Sequence, residues 1–93
     1  MREQYIEFKL KSEIKALGGM ALKFVSPGMV GVPDRIVFAP GGKVYLVELK
    51  APGKTLSPKQ VKMAALLGKL GHQVRVIDSM EGIKEFINEI YSP

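Results

Sequence analysis

The chain contains no cysteine and only one histidine, His72. Disulfide bonds and thiolate metal sites are therefore excluded, as are zinc sites that need several imidazoles. Any bound metal must be held by oxygen ligands, which favours Mg2+ or Mn2+. No apolar run approaches the roughly 18 residues that span a bilayer, and no stretch has the pattern of a signal peptide. We therefore expect a cytoplasmic protein with no membrane partner.

Length and composition predict one globular domain over residues 1–93. The chain leaves no room for a second hydrophobic core, and its 46% hydrophobic and 25% charged residues are ordinary values for a folded protein. The formal net charge of +5 favours a polyanionic partner such as nucleic acid. No cluster of aromatic residues offers a stacking platform, so readout of single-stranded bases is not expected.

The sequence pattern predicts the order helix, three strands, helix, strand, helix. Apolar residues recur at helical spacing in the first and last segments, and turns rich in glycine and proline separate the strands. Ser57, Pro58 and Gln60 are typical of a helix start with a capping box. The expected helices cover about 3–17, 58–70 and 81–91, and the expected strands cover 20–25, 34–39, 44–50 and 74–77. The order favours an α/β fold with a mixed four-stranded sheet flanked by helices.

Asp34 and Glu48 are candidates for a shared metal site. A three-residue loop at 40–42 would close the hairpin between the second and third strands. In that register Asp34 lies opposite Glu48, with Cβ atoms about 4.5–5.5 Å apart, and the two carboxylates can share one cation. Alternation along the third strand puts Lys50 on the same face as Glu48. The alternative for Glu48 and Lys50 is an exposed ion pair at a strand end. A slip of the hairpin register by one residue would put Asp34 and Glu48 on opposite faces and remove the site. The same register pairs Ala39 with Lys43, Phe38 with Val44, and Ile36 with Leu46.

The first helix carries a candidate third carboxylate. At about 100° per residue, Glu7 falls at the edge of the apolar stripe of this helix, and Glu3 lies one turn earlier on a similar bearing. Either residue could reach the end of the sheet where the other two carboxylates lie. The alternative for both is an exposed helix glutamate.

These residues, in this order, resemble the PD-(D/E)xK nuclease superfamily, and most closely its VRR-NUC branch, the virus-type replication-repair nuclease domains. The similarity extends over about residues 3–78 and implies a restriction-endonuclease-like αβββαβ core. It is carried by Gly18-Gly19, Lys23, Ser26-Pro27-Gly28, Gly31-Val32-Pro33-Asp34-Arg35, Val47-Glu48-Leu49-Lys50-Ala51-Pro52 and Ser57-Pro58-Lys59-Gln60.

The resemblance implies a metal centre built on the two strands. Asp34 and Glu48 would be metal ligands, joined by the backbone carbonyl of Leu49. Lys50 would be the catalytic lysine, and the cofactor would be Mg2+ or Mn2+.

The resemblance also implies roles for residues around that centre. Glu7 best matches the first-helix glutamate of the family, with Glu3 as the alternative. Gln60 matches a polar helix position near the active site, although its capping role explains it equally well. Lys23 and Ser26 match positions that contact the substrate backbone, and each could instead be an ordinary polar surface residue.

The function that the resemblance implies is metal-dependent hydrolysis of DNA phosphodiesters. Stand-alone relatives, viral or bacterial, tend to be homodimers that cleave branched DNA, including four-way (Holliday) junctions, which would place the protein in DNA repair. A non-catalytic DNA-binding module and a subunit-interaction domain are the alternatives. A sequence-specific restriction enzyme is a third possibility, for which the chain is too short to hold a recognition subdomain.

Overall fold

A computed structural model describes residues 1–91, so the last two residues of the expected domain lie outside the described part of the chain. The elements follow the predicted order. They are α1 (Glu3–Ala16), β1 (Met20–Lys23), β2 (Arg35–Ala39), β3 (Lys43–Leu49), α2 (Pro58–Lys69), β4 (Val74–Ile77) and α3 (Met80–Tyr91).

The four strands form one mixed sheet in the order β1-β2-β3-β4. The first three strands are an antiparallel meander, and β4 runs parallel to β3 after the crossover through α2. The predicted register of the β2–β3 hairpin is confirmed: Ala39 pairs with Lys43, Phe38 with Val44, and Ile36 with Leu46. Helix boundaries agree with the expectation within one residue, whereas β1 ends two residues earlier, at Lys23.

The hydrophobic core lies on one face of the sheet, between the strands and the helices α1 and α3. Helix α1 contributes Ile6, Leu10 and Ile14, which recur at helical spacing and are completely buried. The inward positions of β2 and β3, the end of β4 and the apolar stripe of α3 complete the core. The remaining core residues are Val37, Ala39, Val47, Leu49, Ile77, Ile83, Phe86, Ile87 and Ile90.

The opposite face of the sheet is only partly covered. Helix α2 borders it through Leu67, beside a cleft that Ile36, Phe38 and Val44 also line. Phe38 and Val44 stay exposed. Because Asp34 and Glu48 belong to this same face by alternation, the fold places the candidate site on the more open side of the sheet.

The turn between α1 and β1 fixes how the helix sits against the sheet. Gly18 adopts a φ of 88°, which ends the helix in the left-handed region. A Cβ at Gly19 would lie 2.4 Å from the carbonyl oxygen of Phe38 and 3.1 Å from Cγ2 of Ile14. Only glycine permits this approach, and it holds the end of α1 beside the end of β2.

Within residues 1–91, no helix is long and apolar enough to cross a membrane.

Candidate active site

Asp34 and Glu48 meet at the end of the β2–β3 hairpin. Arg35 pairs with Val47, so the next pair outward is Asp34 and Glu48, one residue beyond the start of β2. The two carboxyl groups are close enough that a hydrogen bond from protonated Glu48 to Asp34 raises the pKa of Glu48. The structure therefore brings together the two carboxylates that the sequence pattern predicted to face each other.

Glu48 is almost completely buried, at 2% exposure. Burial, the hydrogen bond with Asp34 and the negative charge of Asp34 together raise its pKa from 4.5 to about 8, while the positive charge of Lys50 acts in the opposite direction. Its Oε1 atom has no hydrogen-bond partner among the described residues. A buried oxygen without a partner is costly, so a cation or a proton is the group that this site needs.

The backbone of β3 holds Asp34 in place. The amide N–H of Leu49 donates to Oδ2 of Asp34 at 2.9 Å. In an antiparallel strand the N–H and C=O of one residue point to the same side, so the carbonyl of Leu49 also faces the side of Asp34. The carbonyl of Asp34 accepts from the N–H of Phe24 at 2.8 Å, which extends the β1–β2 pairing to the site. Asp34 is thus fixed from both neighbouring strands.

The donor set fits a hard divalent cation. Within residues 1–91, no group of three or more histidine, cysteine, aspartate or glutamate side chains is placed to hold a metal. Two carboxylates and one backbone carbonyl remain, and all three supply oxygen. Mg2+ is commonly bound by one or two carboxylates together with water and substrate phosphate oxygens. Asp34, Glu48 and the carbonyl of Leu49 therefore suit Mg2+ or Mn2+, and the orphaned oxygen of Glu48 is the position that such an ion would satisfy.

Lys50 follows Glu48 by two residues and lies on the same face of β3, at the end of the strand. Its N–H donates to the carbonyl of Ile77 at 3.0 Å, which keeps the backbone in register with β4 beyond the last strand residue. Lys50 as a residue is half-buried, and its positive charge is near enough to Glu48 to oppose the rise in pKa of that carboxyl. A cation is therefore held beside the two carboxylates.

The two glutamates of α1 have different surroundings. Oε1 of Glu7 accepts a hydrogen bond from Nη2 of Arg35 at 2.6 Å, in an ion pair with a buried guanidinium. Glu3 lies one turn earlier, and its negative charge contributes to the raised pKa of Glu48. Of the two helix glutamates, Glu3 is thus the one whose charge acts on Glu48, whereas Glu7 faces Arg35.

Gln60 lies in the capping box of α2. Its amide oxygen accepts from the N–H of Ser57 at 2.9 Å, and its own N–H donates to Oγ of Ser57 at 3.3 Å. The helix start nevertheless lies close to the loop that leads into Asp34. A Cβ at Gly31 would be 2.6 Å from the carbonyl oxygen of Lys59 and 3.2 Å from the backbone nitrogen of Gln60. Gln60 is therefore engaged in capping while its helix turn supports the loop that carries Asp34.

The two predicted substrate contacts lie at the rim of the sheet. Lys23 is exposed at the end of the edge strand β1, opposite Arg35 in the register and therefore on the α1 face. Ser26 is half-buried in the loop that follows, where its carbonyl accepts from the N–H of Met29 at 3.4 Å. Both residues are on the β1 side of the site, next to β2, which begins directly after Asp34.

Sequence reasoning missed the structural roles of Arg35 and Gly31. Arg35 occupies an inward position of β2, where alternation places Val37 and Ala39 in the core. A charged residue in such a position signals a buried ion pair, and this signal was available in the sequence. The close approach of Gly31 to α2 joins residues far apart in the chain, and a local pattern carries no sign of it.

An α/β fold with two facing carboxylates and a lysine on adjacent strands defines the class of a nuclease domain, and comparison with known proteins agrees with this class. The VRR-NUC domain family matches residues 3–81. The chain belongs to this family, as the sequence motifs predicted.

Two relatives are similar to most of the chain. "Putative nuclease p44" of Acyrthosiphon pisum secondary endosymbiont phage 1 is 53% identical over 81 residues, which cover 87% of this chain and 87% of that protein. A solved structure described as "VRR_NUC domain" superposes with a TM-score of 0.87 at 29% identity, covering 96% of this chain and 97% of the other. The predicted fold is therefore confirmed, and the family assignment supports nuclease activity.

Proposed function

We propose that this protein is a Mg2+- or Mn2+-dependent endodeoxyribonuclease that acts on branched DNA. The observation that carries the proposal is the buried Glu48, which faces Asp34, lies beside Lys50 and has an oxygen without a partner. A buried carboxyl group with one oxygen that lacks a partner is not needed for a stable sheet and is costly to keep. It suits a site that holds a cation during its reaction.

Asp34, Glu48 and the carbonyl of Leu49 would hold the metal ion. When bound, the ion would polarise a phosphate oxygen and lower the pKa of a coordinated water. The Leu49 N–H bond to Asp34 keeps that carboxylate oriented towards the site. Lys50 would place its ammonium against the attacking water and offset the charge that builds on the phosphate in the transition state.

We assign the first-helix carboxylate of the site to Glu3. Its charge acts on Glu48, whereas Glu7 is engaged by Arg35. Glu3 is exposed on the first turn of α1, so it can respond to a bound ion or to an attacking water without a large rearrangement. Gln60, Lys23 and Ser26 would lie along the path of the DNA backbone rather than at the scissile phosphate.

DNA is the substrate that the charge of the chain favours. The net charge is +5 even though the site itself is acidic, so the positive charge lies elsewhere, on surfaces that can contact flanking phosphates. Lys23 is exposed at the rim of the sheet, close to the site in the register. Binding should therefore weaken steeply as salt is raised, because counterion release dominates such contacts.

The proposed preference for branched DNA goes together with a homodimer. A four-way junction presents two equivalent strands related by a twofold axis, and a C2 dimer offers two sites with the same symmetry. The sheet also leaves an exposed apolar row across three strands, formed by Met20, Phe38 and Val44. Association of two copies is one way to cover such a patch. Light scattering of the purified protein tests the dimer directly, and a mass of 10.2 kDa would contradict it.

Cleavage of a synthetic four-way junction and of a matching linear duplex tests the activity. Wild type and the variants Asp34→Asn and Glu48→Gln are incubated with Mg2+, Mn2+ or EDTA. Cutting of the junction that needs the metal and is lost in both variants is the expected result. Equal cutting of both substrates would refute the preference for branched DNA. Tight binding without cutting in either metal would favour a DNA-binding module.

A further inference from the structure

We infer that the Arg35–Glu7 ion pair positions helix α1 on the sheet so that Glu3 lies at the same end of the sheet as the Asp34–Glu48 pair. The inference rests on the proposed function. It makes Glu7 a positioning residue that acts through Glu3, and it gives a role to Arg35, the residue that follows Asp34 in the chain.

The pair has the character of an anchor rather than of an ordinary surface contact. Arg35 is 7% exposed, and Nη1 of its guanidinium also donates to the carbonyl of Ala21 at 3.4 Å. Nη2 donates to Oε1 of Glu7 at 2.6 Å. A buried guanidinium requires its carboxylate, so the helix turn that carries Glu7 is fixed relative to β1 and β2.

A second ion pair on the same helix provides a contrast. Nζ of Lys9 lies 2.8 Å from Oε1 of Glu13, and both side chains are largely exposed, at 47% and 37%. This pair joins two residues within α1 and cannot tie the helix to the sheet. Exposed pairs of this spacing contribute little to stability. The two pairs therefore have similar chemistry, but only the Arg35–Glu7 pair connects α1 to the sheet.

The direction of α1 relative to β2 determines where an anchor at Glu7 places Glu3. Ile14 lies beside Gly19 and Ala39, at the far end of β2, and Glu7 lies at Arg35, at its beginning. Helix α1 thus runs antiparallel to β2. From Ile14 to Glu7 the helix advances about 10 Å, and from Ala39 to Arg35 the strand covers about 13 Å, so the two lengths agree to within about 3 Å.

One further turn of α1 advances about 6 Å and brings Glu3 past Arg35, to the level of the Asp34–Glu48 pair. Glu3 and Glu7 are four residues apart and so lie on the same side of the helix. A shift of α1 along β2 would remove Glu3 from the site while leaving Asp34 and Glu48, which are held by the strands.

Binding of Mn2+ to the purified protein, followed by titration calorimetry, tests the inference in the double-mutant cycle of Glu3→Gln and Glu7→Gln. Each single change should weaken Mn2+ binding about tenfold. If Glu7 acts only through Glu3, the double variant should bind Mn2+ no more weakly than Glu3→Gln alone. Cleavage rates of the same variants should follow the same pattern. The control is Glu13→Gln, which removes the same charge from the same helix and should leave both measurements unchanged.

The variant Glu7→Gln/Arg35→Met separates positioning from stability. Glu7→Gln alone leaves a buried cation without its partner and should lower the Tm by about 5–10 °C. Removing both charges should recover most of that loss, and it should not recover Mn2+ affinity, because the anchor is absent. Recovery of affinity together with Tm would show that the pair only stabilises the fold, and it would overturn the inference.

Two further outcomes distinguish the failure of each proposal. In the first, the wild type binds Mn2+ and cuts DNA, and the losses of Mn2+ affinity of Glu3→Gln and Glu7→Gln multiply in the double variant. This result would make Glu7 an independent part of the site and refute the positioning role alone. A wild type that neither binds Mn2+ nor cuts DNA would overturn the proposed function, and the inference with it.

Discussion

Replacing Glu48 by glutamine should make the metal-free protein more stable at alkaline pH and leave its stability nearly unchanged at pH 4. Glutamine has the shape of a protonated glutamate and can still donate a hydrogen bond to Asp34. It cannot ionise. The variant therefore removes one property of Glu48, the buried negative charge, and keeps the rest of its packing.

The sign of the effect follows from the pKa of Glu48. In the unfolded chain this group loses its proton near pH 4.5, whereas in the folded protein it keeps the proton until about pH 8. The folded state therefore binds more protons than the unfolded state across this window. The contribution of Glu48 to stability is fully present below about pH 4.5 and is lost as the pH rises through about 8. Above that pH, the wild type must hold a buried carboxylate against Asp34.

The magnitude follows from the same two values. At about 1.4 kcal/mol per pH unit, the interval from 4.5 to about 8 corresponds to an upper limit of roughly 5 kcal/mol at pH 9. Rearrangement of Lys50 and entry of water would reduce this figure. A difference half as large still shifts the Tm of a domain of this size by about 10–20 °C. Such a shift is far larger than the error of a melting experiment.

The assay is urea unfolding in EDTA at pH 4 to 9, for the wild type and Glu48→Gln in parallel. The difference in the free energy of unfolding should favour the variant increasingly as the pH rises. Glu85→Gln, an exposed change of the same charge on α3, should show no such trend. A saturating concentration of Mg2+ at pH 8 should stabilise the wild type and not Glu48→Gln. A difference that stays constant within about 0.5 kcal/mol across the pH range would refute the assignment of Glu48 as a buried titrating carboxyl.

Three further substitutions test the support and the chemistry of the site. Gly31→Ala should lower the free energy of unfolding by about 2 kcal/mol and lower the cleavage rate, because the new Cβ would lie 2.6 Å from the Lys59 carbonyl oxygen at a φ of 84°. The control Gly28→Ala meets open space and should change neither quantity in the same unfolding and cleavage assays. Lys50→Met should lower kcat by about 10²–10³ and not weaken Mn2+ binding, and weaker binding would make Lys50 part of the metal site instead. Ser57→Ala should destabilise the protein by about 1 kcal/mol in urea unfolding through loss of the α2 cap, and an unchanged midpoint would contradict a role for the capping box.

The hairpin register could be predicted from the sequence because it depends on local information. The length of the turn at 40–42 and the twofold alternation of side chains fix which residues of β2 and β3 face each other. These two rules place Asp34 opposite Glu48 without knowledge of the rest of the fold. The observed pairs, from Ala39 with Lys43 to Arg35 with Val47, agree with them.

The position of α1 could not be predicted in the same way. Helical periodicity gives the bearing of each side chain around the axis and says nothing about how far the helix is displaced along the sheet. Glu3 and Glu7 have nearly the same bearing, so periodicity does not distinguish them, and the family resemblance favoured Glu7. The contact that distinguishes them is the ion pair with Arg35, which joins positions 28 residues apart. The same limit applies to Gly31 and the first turn of α2, which touch only in the folded protein.

The raised pKa of Glu48 also determines how the proposed site would exchange a proton for a metal ion. At neutral pH the metal-free protein holds a proton on Glu48, since the pKa is about 8. The proton reduces the repulsion between Glu48 and Asp34 and removes the cost of burying a charged carboxylate. A metal ion needs the ionised carboxylate, so binding would release this proton and would compete with it below pH 8. The same burial that makes the charge costly in the empty site would strengthen its attraction to a cation in the occupied one, because both effects arise from the low local dielectric. The facing carboxylates Asp34 and Glu48 would therefore be stable in two states, protonated or metal-bound, and unstable only when both are ionised and the site is empty.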